Sequence, residues 1–297
     1  MYSSITPATY WNRGEATVIP QVKDARPVAW DSAPLFYPAA IVARFVTKTL
    51  VIAELEVRKL RHDFTEIVVR AIQPALWLLL FGEVFTKVRA ISTGEVRYLD
   101  FMAPGILAQS VLFVAIFYGV AIIWERDMGI IHKFLASPTP RGALVLGKAL
   151  SAGIRSLSQA VIIYLLALLL GVKMNWTISG LLGVLATVVL GAALFSALSL
   201  IIASLVKTRE RFMGMGQVLT MPLFFASNAI YPISMMPLWL QIISHANPLT
   251  YEVDALRALM LAEGTSSFGL LTDFAVLLSA TAVAVVIGAK VYPRVVM

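Results

Sequence analysis

Long apolar runs separated by short polar segments dominate the chain from about residue 64 onward. Six of them reach the ~20 residues a helix needs to cross a bilayer. They lie at roughly 64–86, 101–123, 145–172, 178–206, 212–232 and 267–290. The first centres on Ala75-Leu76-Trp77-Leu78-Leu79-Leu80-Phe81, and the fourth is long enough to tilt. Ahead of them, residues 40–62 place Val42, Val46, Leu50, Ala53, Val57 and Leu60 on one helical stripe, with Arg44, Lys48, Arg58 and Lys59 opposite. That pattern predicts an interfacial helix with its cations toward anionic head groups. Val51 and Leu55 interrupt the polar face, and a soluble packing helix would carry a similar pattern. Residues 1–37 are polar and Pro-rich, without an apolar core or a secretory apolar region, and read as a flexible cytosolic arm. The expected division is an arm at 1–37 and a transmembrane domain at 38–297.

The stretch Phe212–Tyr251 holds no Asp, Glu, Lys or Arg and is interrupted by Asn228, Pro232, Pro237 and Pro248. It is about twice the length one span needs, yet too short for two spans and a turn. It therefore predicts one span followed by short re-entrant helices at the outer surface, with Asn247, Pro248 and Tyr251 in that segment. Orientation follows from the cations near span ends. With the N-terminus in the cytosol, fifteen Lys and Arg fall on the inner side. Five fall outside: Lys87, Arg89, Arg97, Lys173 and Arg257. Both termini are then cytosolic, which agrees with an even number of spans. The expected fold class is an all-α membrane protein of six transmembrane helices.

Composition supports a lipid solvent. Apolar residues make up 59% of the chain and charged ones 14%, against roughly 25% charged in soluble domains. The net charge of +7 raises nucleic-acid binding, but the cations flank apolar blocks and do not interleave with aromatics, so no nucleic-acid partner is expected. With no cysteine, disulfides, zinc–thiolate sites and a cysteine nucleophile are excluded. His62, His132 and His245 lack metal-ligand spacing, so no metal is expected. Gly142, Gly147 and Lys148 form G-x-x-x-x-G-K, but Ala149 stands where a phosphate loop needs Ser or Thr for magnesium. The segment also leads into an apolar run, so no ATPase machinery is read in this chain.

Between the second and third runs lies Trp124-Glu125-Arg126-Asp127-Met128-Gly129-Ile130-Ile131-His132-Lys133-Phe134-Leu135-Ala136-Ser137-Pro138. Exposing Ile130, Ile131, Phe134 and Leu135 together would be costly. They suit a short helix lying along the membrane or docked in a partner's groove, or else an ordinary solvated loop. Arg155 sits about two turns inside the third span, with Lys148 two turns earlier on the same face. Repulsion is expected to turn both toward the cytosolic interface, with Glu125 as counter-ion. Gly180, Gly183 and Gly191, with Ser196 and Ser199, give the fourth span a small face for close packing.

Several pieces together resemble the type 2 permease family of ABC exporters, near its daunorubicin-resistance and nodulation-factor members. They are Leu99-Asp100-Phe101-Met102-Ala103-Pro104-Gly105-Ile106-Leu107, Glu125-Arg126-Asp127-Met128-Gly129, Ser137-Pro138-Thr139-Pro140-Arg141, and Asn247-Pro248-Leu249-Thr250-Tyr251-Glu252-Val253-Asp254-Ala255-Leu256-Arg257. Pro74, Trp77 and Leu80-Phe81-Gly82 also fit, and the resemblance covers about residues 40–291. Ser227-Asn228 departs from the Ser-Gly of many relatives, and the 1–37 arm has no counterpart.

The resemblance implies six spans per chain in a bacterial inner membrane and a second copy of the permease. It also implies two separate ABC ATPase subunits that hold Mg-ATP, leaving no cofactor and no covalent chemistry in this chain. It makes the 125–137 loop a coupling helix, so Glu125, Arg126, Asp127, Met128, Gly129, Ile130, Lys133 and Phe134 are expected to meet the ATPases. Polar residues inside spans are functional candidates, alongside a plain role in interhelical hydrogen bonding. With a pathway lined by the second and fifth spans, Gln109, Phe113, Phe117, Thr220, Phe224, Phe225 and Asn228 become the substrate-pathway set. An aromatic, weakly polar path favours amphipathic, lipid-like or drug-like cargo moved outward, and would also suit a glycan or glycolipid. Two competing classes are an ion-coupled secondary transporter, which would show inverted repeats and intramembrane acids, and an intramembrane enzyme, for which no catalytic constellation is present.

Overall fold

A computed structural model describes residues 45–51, 54, 69, 72–88, 96–131, 140–206 and 208–292. All belong to one compact unit, Val42–Met297. The expected 1–37 arm, most of the 40–62 helix, and Lys133 and Phe134 lie outside the described residues. Residues 45–51 are helical, with Val46, Leu50 and Val51 exposed.

Nine helical runs and one 3-10 turn, Ile233–Met235, follow among the described residues. Run α1 spans 72–88, with a π-helical turn at Trp77–Gly82 leading into Glu83–Val88. After it come α2 (Tyr98–Phe117), α3 (Gly119–Asp127), α4 (Arg141–Leu169), α5 (Ile178–Leu205) and α6 (Arg209–Phe225). The last three are α7 (Leu238–Ala246), α8 (Pro248–Met260) and α9 (Leu270–Val291). Strand pairing among the described residues is limited to the isolated bridge Met174–Leu261.

Among the described residues, four stretches are long and apolar enough to cross a membrane: Tyr98–Asp127, Arg141–Leu169, Ile178–Leu205 and Leu270–Val291, of 30, 29, 28 and 22 residues. At ~1.5 Å per residue even the shortest exceeds the ~30 Å hydrocarbon core. They bear out four of the six expected runs, with shifted ends. The third begins at Arg141, four residues before the expected 145, because Pro140 occupies the N-cap, where its missing N–H costs no helical hydrogen bond. The fifth run ends at Phe225 instead of 232, leaving α6 with 17 residues. Ser227 Oγ donates to Phe224 O at 2.7 Å and accepts from Ala229 N at 3.3 Å, so a turn replaces further helix.

Local chemistry sets the boundaries. Thr177, Thr208 and Asn247 cap α5, α6 and α8 by accepting from Gly180 N, Arg211 N and Leu249 N. Helix α4 closes on Gly171 at φ +68°, where Val172 N bonds Ala167 O at 2.9 Å and Gly171 N bonds Leu168 O at 3.1 Å. That pair of bonds needs a left-handed residue, which glycine supplies without steric cost.

Helix α5 is the hub, packing against α4, α9, α2 and α8. Its small face lets them close in, as its sequence predicts: a Cβ on Gly191 would strike the Glu252 carboxyl of α8, and one on Gly183 would meet Leu259 at 2.7 Å. Ser199 of α5 donates to Ile116 O of α2. Helix α2 is buried nearly all round, with only Phe113 and Phe117 partly open. The outward faces are apolar as well: Leu165, Leu168 and Leu169 on α4 and Leu271, Leu278 and Val286 on α9 are exposed. Water would penalise so continuous an oily surface, whereas lipid tails do not.

Candidate functional site

The helices turn at two ends, and each end gathers charge. At one end, α3 closes with Glu125-Arg126-Asp127, and Gly129 at φ +70° redirects the chain. Glu125 is buried, and its Oε2 accepts from Lys148 Nζ of α4 at 2.6 Å. Two opposite charges out of water support each other, because removing either takes away the other's ion-pair partner at 2.6 Å. Asp127 is exposed and accepts from Arg126 Nη2 at 3.0 Å and from Arg209 Nη2 at 2.9 Å. The Arg209 guanidinium lies 3.4 Å from the centre of the Trp124 ring. Trp124 and Asp127 thus fasten the end of α3 to the first residue of α6.

These contacts correct the expectation for Lys148. It does not turn to the interface, because Glu125 neutralises it in place at 1% exposure. Arg155 instead lies 5.0 Å over the Tyr118 ring. Gly142 to Lys148 form the first turns of α4, with Lys148 committed to Glu125, so the apparent phosphate motif builds no phosphate loop. Met128 is exposed and Ile131 buried, so only part of this segment's apolar surface is free.

The expected pathway set does not share one cavity: Gln109, Phe113 and Phe117 line one, Asn228 lines another, and Thr220, Phe224 and Phe225 line neither. Gln109, Phe113 and Phe117 line a cavity of about 500 Å³ with Gln73, Ser110 and Met213. The Phe113 and Phe117 rings lie 5.7 Å apart, and the buried Gln109 Oε1 makes no hydrogen bond. The cavity joins aromatic walls to an unsatisfied amide, which suits an apolar guest bearing a donor. Thr220 is buried and spends its hydroxyl on Gly216 O at 2.8 Å. Phe224 is buried edge-on to Trp77 at 6.0 Å, while Phe225 is partly exposed.

Asn228 lines the second cavity, of about 700 Å³, at the other end of the helices, with Arg97, Lys173 and Arg257 in its wall. These three cations are far apart in the sequence, and the fold brings them to one place. Arg97 pairs with Asp100 at 2.8 Å and donates to Gly171 O at 2.9 Å. Asn247, Pro248 and Tyr251 act locally. Asn247 caps α8 and its Nδ2 reaches Leu223 O at 2.7 Å, Pro248 takes the first turn of α8, and Tyr251 donates to His245 O at 2.8 Å.

Two buried acids, Asp254 and Asp273, flank this end, and a third, Glu252, lies deeper against Gly191 of α5. Asp254 Oδ2 accepts from Ser266 Oγ, Ser267 N and Phe268 N at 2.9, 2.7 and 3.1 Å, and Ser266 Oγ lies 2.8 Å from Asp273 Oδ2. Glu252 of α8 is fully buried with neither oxygen hydrogen-bonded, and burial pushes its carboxyl well above the ordinary range. Among the described residues no His, Asp and Glu group could hold a metal ion.

Residues 47–261 match the family model for the ABC-2 type transporter. The chain is 34% identical over 192 residues to a protein of Cyanophora paradoxa named transport permease ycf38, covering 63% of this chain and 65% of that one. It therefore spans a little under two thirds of that relative's length. It is 29% identical over 212 residues to the daunorubicin resistance ABC transporter permease protein DrrB1 of Streptomyces coeruleorubidus, covering 70% of this chain and 72% of that one. To nodulation protein J of Bradyrhizobium diazoefficiens it is 28% identical over 176 residues, covering 58% and 66%. With a family match over most of its length and several helices able to cross a bilayer, this chain is a multi-pass membrane protein belonging to the ABC-2 type transporter family.

Proposed function

We propose that the chain is the membrane-spanning permease subunit of an ATP-driven exporter moving amphipathic, lipid-like or drug-like cargo out of the cytosol. Two separate ABC ATPase subunits would hydrolyse Mg-ATP, and a second copy of the permease would complete the pathway. Runs α1 and α6 would supply the other two spans, giving six. The Asp127 end would face the cytosol of a bacterial inner membrane and the Arg257 end the outside. Residues 125–137 would receive the ATPases, with Lys133 and Phe134 among the contacts.

The observation that carries the cargo reading is the cavity at Gln109, Phe113 and Phe117, where an aromatic wall surrounds an amide in an otherwise apolar helix face. A mobile guest with an oily body and a few polar groups fits such a lining better than an ion does. Coupling then needs a rigid route from the loop to the helices around that cavity. Glu125–Lys148 ties the loop to α4, and Asp127–Arg209 ties it to α6. A push on the loop would move α2 and α6 together between two discrete packings.

The test is co-expression with the ATPase chain encoded beside it, followed by reconstitution into proteoliposomes. ATP should drive an amphipathic dye across the bilayer. Gln109→Ala with Phe113→Ala should raise the dye concentration for half-maximal transport several-fold, leaving basal ATPase activity intact. Dye movement indifferent to ATP, or to both substitutions, would reject the reading.

A further inference from the structure

Arg257 lines the cavity of about 700 Å³. Its Nη2 donates to the backbone carbonyls of Asn228 at 2.8 Å and Phe101 at 3.4 Å, and its guanidinium lies 3.9 Å from the centre of the Phe101 ring. Its Nε is buried without a hydrogen-bond partner. No described carboxylate forms an ion pair with it. Asp254, one turn back on α8, offsets part of the charge from a distance, but its Oδ2 is occupied by Ser266, Ser267 and Phe268. A stacked, half-buried guanidinium with a buried, unpaired Nε, bonded to carbonyls and with no carboxylate in direct contact, is a cation with room for an anion in the cavity it lines.

The surroundings agree with that reading. Asn228 Oδ1 is also buried and unpartnered in the same wall, and the amide can present its NH2 by turning about its last bond. Of the remaining lining charges, Arg97 and Asp100 cancel each other, which leaves Lys173 and Glu263, both exposed, at the rim. The wall at Arg257 is therefore positive and the rim mixed. Helix α7 contributes His245 to the wall and exposes Leu238, Trp239 and Ile242. A short helix with an exposed apolar face lies naturally in a membrane interface, which sets the cavity beside the head-group layer.

We propose that this cavity binds the anionic, phosphate-type head group of an amphipathic molecule, with Arg257 as the anchor and Asn228 and Lys173 as secondary contacts. Its chemistry is shared by a lipid phosphate and free phosphate, and its test involves neither ATPases nor transport direction, so it stands apart from the exporter reading.

The experiment uses the full chain in phosphatidylcholine nanodiscs, titrated calorimetrically with dihexanoyl phosphatidic acid and, separately, with inorganic phosphate. Phosphatidic acid should bind with an affinity weakened at least tenfold by Arg257→Gln and several-fold by Lys173→Glu. Lys290→Gln, at the far end of α9, should leave it unchanged. Lys173 is exposed, so Lys173→Glu reports even where loss of Arg257 disturbs folding. Inorganic phosphate should bind far more weakly, and equal affinity for it would overturn the amphipathic source. Absence of phosphatidic acid binding, or affinity indifferent to both substitutions, would overturn the site.

Discussion

Lys148 and Glu125 meet at 2.6 Å with about 1% and 4% of each residue exposed. Replacing Glu125 with Gln keeps the shape and removes the carboxylate to which the buried Lys148 ammonium is bonded. Removing one partner of a buried pair costs about 3–5 kcal/mol. At roughly 2–4 °C per kcal/mol for a domain near this size, Glu125→Gln should lower the melting temperature by roughly 6–20 °C. Lys148→Met should also destabilise, by leaving a buried carboxylate. The double substitution removes both charges and leaves methionine's flexible stem to fill the lysine's place, so it should lie within about 1–2 kcal/mol of the parent. The assay is thermal melting in one detergent for all four proteins, read as a double-mutant cycle. A coupling energy below about 0.5 kcal/mol would refute the reasoning, since the two charges would then not depend on each other. In the reconstituted transporter, Glu125→Gln should also uncouple ATP hydrolysis from dye movement, measured as moles moved per ATP.

Arg209→Gln removes an exposed pair worth at most about 1 kcal/mol, so melting should barely change. Stimulation of the ATPase by cargo should fall several-fold if Asp127–Arg209 links the loop to α6. A Cβ at Gly105 would meet the backbone of Ala229, with its Cα at 2.8 Å. Backbone cannot rotate away, so Gly105→Ala should destabilise by roughly 1–3 kcal/mol in a melting assay. Glu252 has its carboxyl raised by burial, so the folded state favours the protonated form. Its contribution to stability is full below the ordinary carboxylate value and is lost as pH rises through the raised one. Glu252→Gln should therefore melt near the parent at pH 4.5 and above it at pH 8, and parallel pH curves would refute the assignment.

The apolar runs were legible because solvation acts residue by residue. A lipid-facing segment must be oily along its whole length, and the run expected at 178–206 is the helix Ile178–Leu205. Breakers were partly legible: Asn247 and Pro248 interrupt the uncharged stretch and open α8, whereas Pro140 and Thr177, which also act through their own backbone neighbours, set helix starts that the apolar pattern did not mark. The charge asymmetry likewise anticipated that Arg97, Lys173 and Arg257 share an end. Tertiary structure alone decided which side chains meet. Whether Glu125 serves Lys148 or Arg155, and whether Asn228 joins Gln109 or Arg257, depends on each helix's rotation and height in the bundle. Those are set by contacts between residues far apart in the chain, such as Gly191 on Glu252 and Gly105 on Ala229. A helical stripe records only that a face is buried, while its partners follow from packing with a few ångströms' tolerance.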